Sequence, residues 1–288
     1  MKKIKILVCC HKICPIPKDE IFLPIQVGCE KSKIKLGIQC DNELNGNTCD
    51  NISNLNGIYC EMTAMYWAWK NIKNKYSDIE YIGLCHYRRF FYIKNNIIRD
   101  WLKVNYCKIK EILKIIFAKK LSISLCDLEY KTNSVNSVKL EKSNKKLCKI
   151  IEKYDIITTK PSISTNTNIY SFFSVIGREY INCLTKIIDE YYFDYSETYY
   201  KTILGNTLHT ANMLILKMDL FNDYCEFIFG VLEKHREMMV KDGIVFSTEK
   251  EKIYSRISGY LSEILTSVYI EEKRKKNKIK EISKIFIE

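Results

Sequence analysis

Residues 80–92 read EYIGLCHYRRFFY. An apolar run, Tyr81, Ile82, Gly83, Leu84 and Cys85, passes straight into His86, Arg88 and Arg89 with no turn residue between them. In α/β sheets ligands bind beyond the carboxyl ends of strands. A guanidinium offers a planar fork of donors suited to phosphate oxygens. Two arginines at a strand end would therefore suit a diphosphate, with His86 beside them as a catalytic candidate. The bland alternative is that Arg88 and Arg89 pair with carboxylates at the edge of the core and His86 is merely satisfied.

Other candidates are weaker when taken alone. Asp50 and Asn51 could grip ribose or sugar hydroxyls, or simply form an Asx turn. Glu61 falls in the first turn of an aromatic helix, as a catalytic base, a hydroxyl acceptor or an answer to the helix dipole. Arg256 and Glu263 are seven apart, two helical turns, and share a face. Gly259 lies between them, where a helix-interior glycine costs about 1 kcal/mol against alanine. Either a ligand approaches there or the glycine serves packing. His11 ends the first apolar run and reads as structural. His-x-x-x-His, P-loop and Gly-x-Gly-x-x-Gly patterns are missing from the sequence, so zincin, P-loop and Rossmann-fingerprint chemistry lack support.

Elements must position these groups. Residues 3–10 read as a buried opening strand, 58–73 as a helix and 80–85 as a strand, an order that suggests a parallel α/β unit. Residues 11–57 hold three of the four prolines and read as irregular. Residues 108–121 read as a helix and 129–146 as a polar loop. Short strands are expected at 154–160 and 213–217. A helix follows the latter with Asp219 as its N-cap, and another spans about 253–270. Ile253, Ile257, Leu261, Ile264, Leu265 and Val268 form the apolar stripe of the last one.

Composition narrows the classes. The chain has 288 residues and 47% hydrophobic content, enough for one large domain. Net charge is +12, which favours a polyanionic partner without choosing among nucleic acid, anionic membrane and phosphorylated ligand. Thirteen cysteines occur with no Cys-x-x-Cys, so they read as free thiols of a reducing cytoplasm rather than a zinc ribbon or disulfide scaffold. The start, MKKIKILVCCHK, has too short an apolar run for a signal peptide. No stretch of about 18 uninterrupted apolar residues is present.

Several segments together, CHKICPIPKDEIFLPIQVG (10–28), DNIS (50–53), YCEMTAMYWAWKN (59–71), YIGLCHYRRFF (81–91), YDII (154–157), NMLILKMDLFNDYCEFIF (212–229) and RISGYLSEILTSVYI (256–270), resemble the DUF4422 family of bacterial capsule and exopolysaccharide glycosyltransferases. The resemblance implies a GT-A-like α/β fold with a mostly parallel central sheet flanked by helices and a helical C-terminal part. It implies hexosyl transfer from a nucleotide-sugar, most often a UDP-sugar, to a saccharide or lipid-linked saccharide acceptor. By the family pattern His11, Asp50, Asn51, Glu61, His86, Arg88, Arg89, Asn212, Arg256 and Glu263 would line the site, with Glu61, His86 and Glu263 on the catalytic side, Glu61 or Glu263 being the base, and the others on the nucleotide-sugar, Arg88 and Arg89 at its diphosphate and Asp50 and Asn51 at ribose or sugar. Residues 1–270 would form one domain, with 93–150 as a variable, acceptor-side insertion that does not follow the family. The lead into DNIS, CDNELNGNTC, also departs from the compact acidic family pattern.

Many GT-A enzymes hold a divalent metal with Asp-x-Asp. None occurs here; Asp127-x-Glu129 is a looser pair. Side-chain cations would then neutralise the leaving UDP, while Mn²⁺ or Mg²⁺ could still arrive through the nucleotide diphosphate. Two other classes stand beside this one: a non-catalytic scaffold of a polysaccharide-assembly complex, and a nucleic-acid-binding protein, disfavoured because the aromatics follow core periodicity. Residues 271–288 are basic. As a helix they would set Ile279, Ile282 and Phe286 on one side, a tail suited to the inner, anionic face of a cytoplasmic membrane, or a merely solvated one.

Overall fold

The computed structural model describes residues 3–94, 96–118, 125–134, 138–243 and 256–288. Its strands are β1 (Ile4–Cys10), β2 (Phe22–Gln26), β3 (Gln39–Cys40), β4 (Glu43–Leu44), β5 (Asn47–Thr48), β6 (Tyr81–His86), β7 (Arg89–Tyr92), β8 (Leu125–Cys126), β9 (Glu129–Thr132), β10 (Ile156–Thr159), β11 (Ser162–Ser164), β12 (Thr207–Leu208), β13 (Leu214–Lys217) and β14 (Ile279–Ile287). The helices are α1 (Asn56–Tyr59), α2 (Met62–Lys75), α3 (Ile97–Ala118), α4 (Val138–Ile151), α5 (Ile169–Ser174), α6 (Arg178–Tyr191), α7 (Ser196–Leu204), α8 (Met218–Lys241) and α9 (Ile257–Lys273).

The opening unit forms as the apolar runs require. β1 is buried along nearly its whole length and pairs parallel with β6 on one side and β2 on the other. The rest of the large sheet departs from expectation, because the sheet is mixed rather than mostly parallel. β13 runs antiparallel to both β6 and β10, and β7 runs antiparallel to β14. The turn from His86 to Arg89 is tight enough that these two residues pair across it. β7 therefore reverses direction, where a helical crossover would have kept the sheet parallel.

Two apolar cores cover the sheet. One gathers α2, α6, α7, α8 and α9, with Trp67, Phe221, Tyr224 and Leu265 fully buried. The other packs Leu140, Leu147 and Ile151 of α4 on strand residues such as Ile6, Ile157 and Ile285. Residues 129–146, expected as a polar loop, thus hold β9 and most of α4. The apolar positions 140, 147 and 151 keep a helical period that the intervening lysines obscure. α8 starts at Met218, so Asp219 stands in its first turn rather than at the cap. α9 buries Ile257, Leu261, Ile264, Leu265 and Val268; Ile253 lies outside the described residues. Gly259 serves packing: a Cβ there would meet the Cys60 sulfur at 2.9 Å.

The largest correction concerns residues 271–288. They are not an amphipathic membrane tail beyond a domain ending at 270. α9 continues to Lys273, and Ile279–Ile287 is a strand inside the sheet. β14 pairs parallel with β10 and β9 and antiparallel with β7. Ile282, Ile285 and Ile287 are buried, and so is Lys284. The strand wins because it satisfies three neighbours' backbone groups while burying β-branched side chains, which a solvated helix would leave exposed. No helix among the described residues is long and apolar enough to cross a membrane.

Candidate active site

The parallel strands β1, β2 and β6 end at one cleft of about 840 Å³. Cys9 and His11 come from the end of β1, Val27 from just past β2, and His86, Tyr87, Arg88 and Arg89 from the β6–β7 turn. The lining also includes Arg256 and Glu263 of the α9 region, the Thr210–Ala211 turn before β13, Asp127, and Lys284 and Phe286 of β14. Glu61 sits at the N-terminal boundary of α2 and also lines the cleft. His11, Glu61, His86, Arg88, Arg89, Arg256 and Glu263 therefore converge.

Two strained residues explain part of this convergence. Ala211 and Asn212 both have positive φ, at 66° and 48°, a conformation costing about 1–3 kcal/mol per residue unless the surroundings enforce it. His86 donates from Nε2 to the Ala211 carbonyl at 2.7 Å, and the Ala211 N–H donates to Glu263 Oε1 at 2.6 Å. Asn212 is fully buried. Its amide donates to Glu61 Oε1 and Ser262 Oγ, both at 2.9 Å, and its carbonyl accepts from Thr266. Asn212 thus stands behind the cleft wall and orients Glu61. His86 clamps the turn, and Glu263 both clamps it and faces the cleft.

The cations divide into two groups. Arg89 Nε pairs with Glu129 at 3.3 Å, and its guanidinium lies 5.0 Å from the Phe286 ring, so for Arg89 the carboxylate-pairing alternative holds. Lys284, only 2% exposed, binds Asp127 at 3.0 Å and Thr210 Oγ1 at 2.8 Å. Among the described residues no carboxylate pairs with Arg88 or Arg256. Arg88 rests beside the Tyr87 and Phe286 rings at 5.6 and 6.0 Å, and Arg256 Nε contacts the Cys60 sulfur at 3.3 Å. The His11 imidazole is pushed below its ordinary range by burial, then by Lys12, Arg256 and Arg88. Lys12, Arg88 and Arg256 thus gather around His11, with Glu61 near enough to act on Arg256, a concentration of positive charge that suits a bound anion.

Two carboxyls have shifted titrations. Burial raises Glu263 to about 7; the nearby Glu61 charge adds to the rise, while the Ala211 N–H opposes it. Burial would also raise Asp127, but the Lys284 ammonium and the Ser162 hydroxyl hold it below the ordinary range. The Cys60 thiol is pushed up to about 11, chiefly by burial, which leaves it protonated near neutral pH and no ready nucleophile.

Asp50 and Asn51 do not reach the cleft. Asn51 accepts from the Ser53 N–H and donates to the Cys49 carbonyl, an Asx turn. Asp50 accepts from the Tyr66 hydroxyl at 3.2 Å. Fully buried Asp41 carries the structural work in this loop, taking donors from Gly28, Cys29, Ser53 and Thr63. Sequence reasoning missed Lys284 and Phe286, and noted Asp127 only as half of a loose acidic pair. Lys284 and Asp127 define each other across 157 residues, so no local signal marks either one.

Asp127 is occupied by Lys284, and Glu61 by Asn212. Among the described residues the one group of close metal-type ligands is His209, Glu271 and Glu281. It lies outside the cleft, and Arg274 already bridges its two carboxylates at 2.9 and 2.6 Å.

The fold has a counterpart among solved structures. The structure titled WbbM bifunctional glycosyltransferase, in its apo form, has a TM-score of 0.76 and 23% identity over 99% of this chain and 45% of that one. The likeness establishes a shared fold, and this chain spans a little under half of that protein. A family model described as a domain of unknown function, DUF4422, matches residues 5–276. The chain belongs to the DUF4422 family. No curated protein matches it.

Proposed function

We propose that the protein is a glycosyltransferase that moves a hexose from a UDP-sugar to a saccharide hydroxyl of a growing surface polysaccharide. The observation that carries this reading is the meeting, in one cleft, of two guanidiniums that make no ion pair among the described residues with a carboxyl that titrates near neutral pH. Arg88 and Arg256, with His11 between them, hold the diphosphate and stabilise charge developing on the leaving UDP. Glu263 takes the proton of the attacking hydroxyl. Glu61, oriented by Asn212, accepts a second hydroxyl and sets the acceptor's angle. The fold shared with a glycosyltransferase supports the class, and the net charge of +12 supports an anionic donor.

Purified protein offered a panel of UDP-sugars with saccharide acceptors should release UDP from one of them. Arg88→Ala should weaken UDP binding by about ten- to a hundredfold, since hydrogen bonds to charged groups contribute about 1.5–3 kcal/mol. Calorimetry on the folded variant measures this, and an unchanged affinity would remove Arg88 from the diphosphate site.

Turnover should also persist in EDTA, because side-chain cations occupy the role that a metal would otherwise fill. Complete loss of turnover in the chelator, restored by Mn²⁺, would refute the metal-independent form of the mechanism while leaving the transfer itself standing.

A further inference from the structure

Helix α3 is turned inside out relative to the other helices. Its two carboxylates and several of its other polar side chains face the body of the protein. Asp100 is buried and bound by Arg99 and by Lys160 at 2.6 Å. Glu111 is buried and bound by Lys114 at 3.0 Å. Lys103 reaches the Glu129 carbonyl at 3.4 Å. Its apolar side chains face outward instead: Trp101 is 64% exposed, Leu102 55%, Tyr106 65%, Ile109 56%, Ile112 54% and Ile116 61%. Neither apolar core contains a residue of α3.

At about 100° per residue these six positions fall on one face, recurring three or four residues apart. Lys108 and Lys110, both exposed, fall at the two borders of that face. From Trp101 to Ile116, at 1.5 Å per residue, the stripe is about 24 Å long. Contiguous apolar surface of this extent on a soluble body marks an interaction site.

We propose that α3 docks the protein on an anionic lipid bilayer, lying in the plane of the interface with its apolar face in the acyl boundary. Charge selects this occupant. Lysines border the stripe on both sides and the chain carries +12, which attracts an anionic surface. A second copy of the chain would bring Lys108 and Lys110 against their like. Trp101 and Tyr106 are amphipathic aromatics of the kind enriched at the lipid–water boundary, and a basic-bordered apolar stripe is the pattern of interfacial helices. The bilayer contact expected of residues 271–288 thereby moves to a different element. α3 is also tied to the segment that carries Asp127 into the cleft: Arg99 donates to the Leu128 and Glu129 carbonyls, and Cys107 lies against Cys126. Docking through α3 holds that wall of the cleft toward the membrane. The proposal does not depend on the reading of the cleft.

The test is sedimentation of the full chain with phosphatidylcholine vesicles, with and without phosphatidylglycerol, at low and high salt. The variant Ile109→Glu/Ile112→Glu is compared after its thermal melt is shown to match the parent's. The parent should pellet with anionic vesicles at low salt and release at high salt, and Trp101 emission should shift to the blue on binding, since Trp67 is already in the core. The variant loses two apolar contacts with the acyl boundary and gains two like charges against an anionic surface, so it should bind at least about tenfold more weakly. Equal binding by parent and variant would overturn the proposal, as would a monomer indifferent to both vesicles. A parent dimer that ignores vesicles and that the variant dissolves would assign the face to a second copy and overturn it equally.

Discussion

A chain ending at Lys278 is expected not to fold. The cut removes β14, which pairs with β10, β7 and β9 at once. Ile282, Ile285 and Ile287 are each at most 7% exposed. Truncating one buried Ile costs about 2–5 kcal/mol, so losing three reaches most or all of the 5–15 kcal/mol that keeps a domain folded. The remaining strands would also present unpaired edges, a template for aggregation. The buried Lys284 would leave with the strand, and Asp127 would lose its cation. Far-UV circular dichroism and thermal melting of the soluble fraction decide the matter. A truncated chain that still melts cooperatively within a few degrees of the full one would show that β14 is dispensable, as a detached tail would have been.

Glu263→Gln should lower transfer by about a hundred- to ten-thousandfold, the usual contribution of a positioned general base. The amide keeps an oxygen that can accept from the Ala211 N–H, so the strained turn keeps its clamp and the loss is chemical. Glu263→Ala should lose the clamp as well and melt lower. The parent's pH profile carries the sign of the effect. The ionised carboxylate is the base and Glu263 titrates at about 7, so the rate should rise with pH through that value and fall about tenfold per unit below it. Stability should run the other way. The folded carboxyl holds its proton more tightly than the ordinary value of 4.5, so the proton's contribution is full below 4.5 and is lost as pH rises through about 7. Glu263→Gln should flatten both slopes. A variant with parental turnover, or one that keeps the acid limb, would place the base elsewhere.

The parts of the fold that were legible in the sequence are those whose apolar spacing is dictated locally. β1 and β6 are continuous apolar runs, and α8 and α9 keep a helical period along their buried faces. The strand-end position of Arg88 was legible for the same reason. β14 was misread because Ile279, Ile282 and Phe286 also fit a helical spacing, and because six basic residues in 273–280 suggest solvent. What makes the strand is partners far along the chain: Ile285 faces Phe90 in register, and Lys284 becomes a buried residue only because Asp127 awaits it. The insertion hid α4 in the same manner, its three core positions spread thinly among lysines. Asp50 and Asn51 show the opposite case: a local Asx turn engages Asn51 and the Tyr66 hydroxyl engages Asp50, and neither lines the cleft.

The position of β14 also has a consequence for how the molecule is made. It leaves the ribosome after the strands it joins, yet it belongs inside the sheet. Ser283 pairs with Tyr92, and at 5–20 residues per second the intervening 191 residues take roughly 10–40 s to synthesise. Throughout that interval β7 stands without the neighbour that will join it to β10, and pairing so distant in sequence is slow to form even after release. Nascent chains should therefore be a client of holding chaperones. Because Lys284 and Phe286 arrive with the same strand, the cleft is completed by the step that completes the sheet, so no partly made chain carries a finished site.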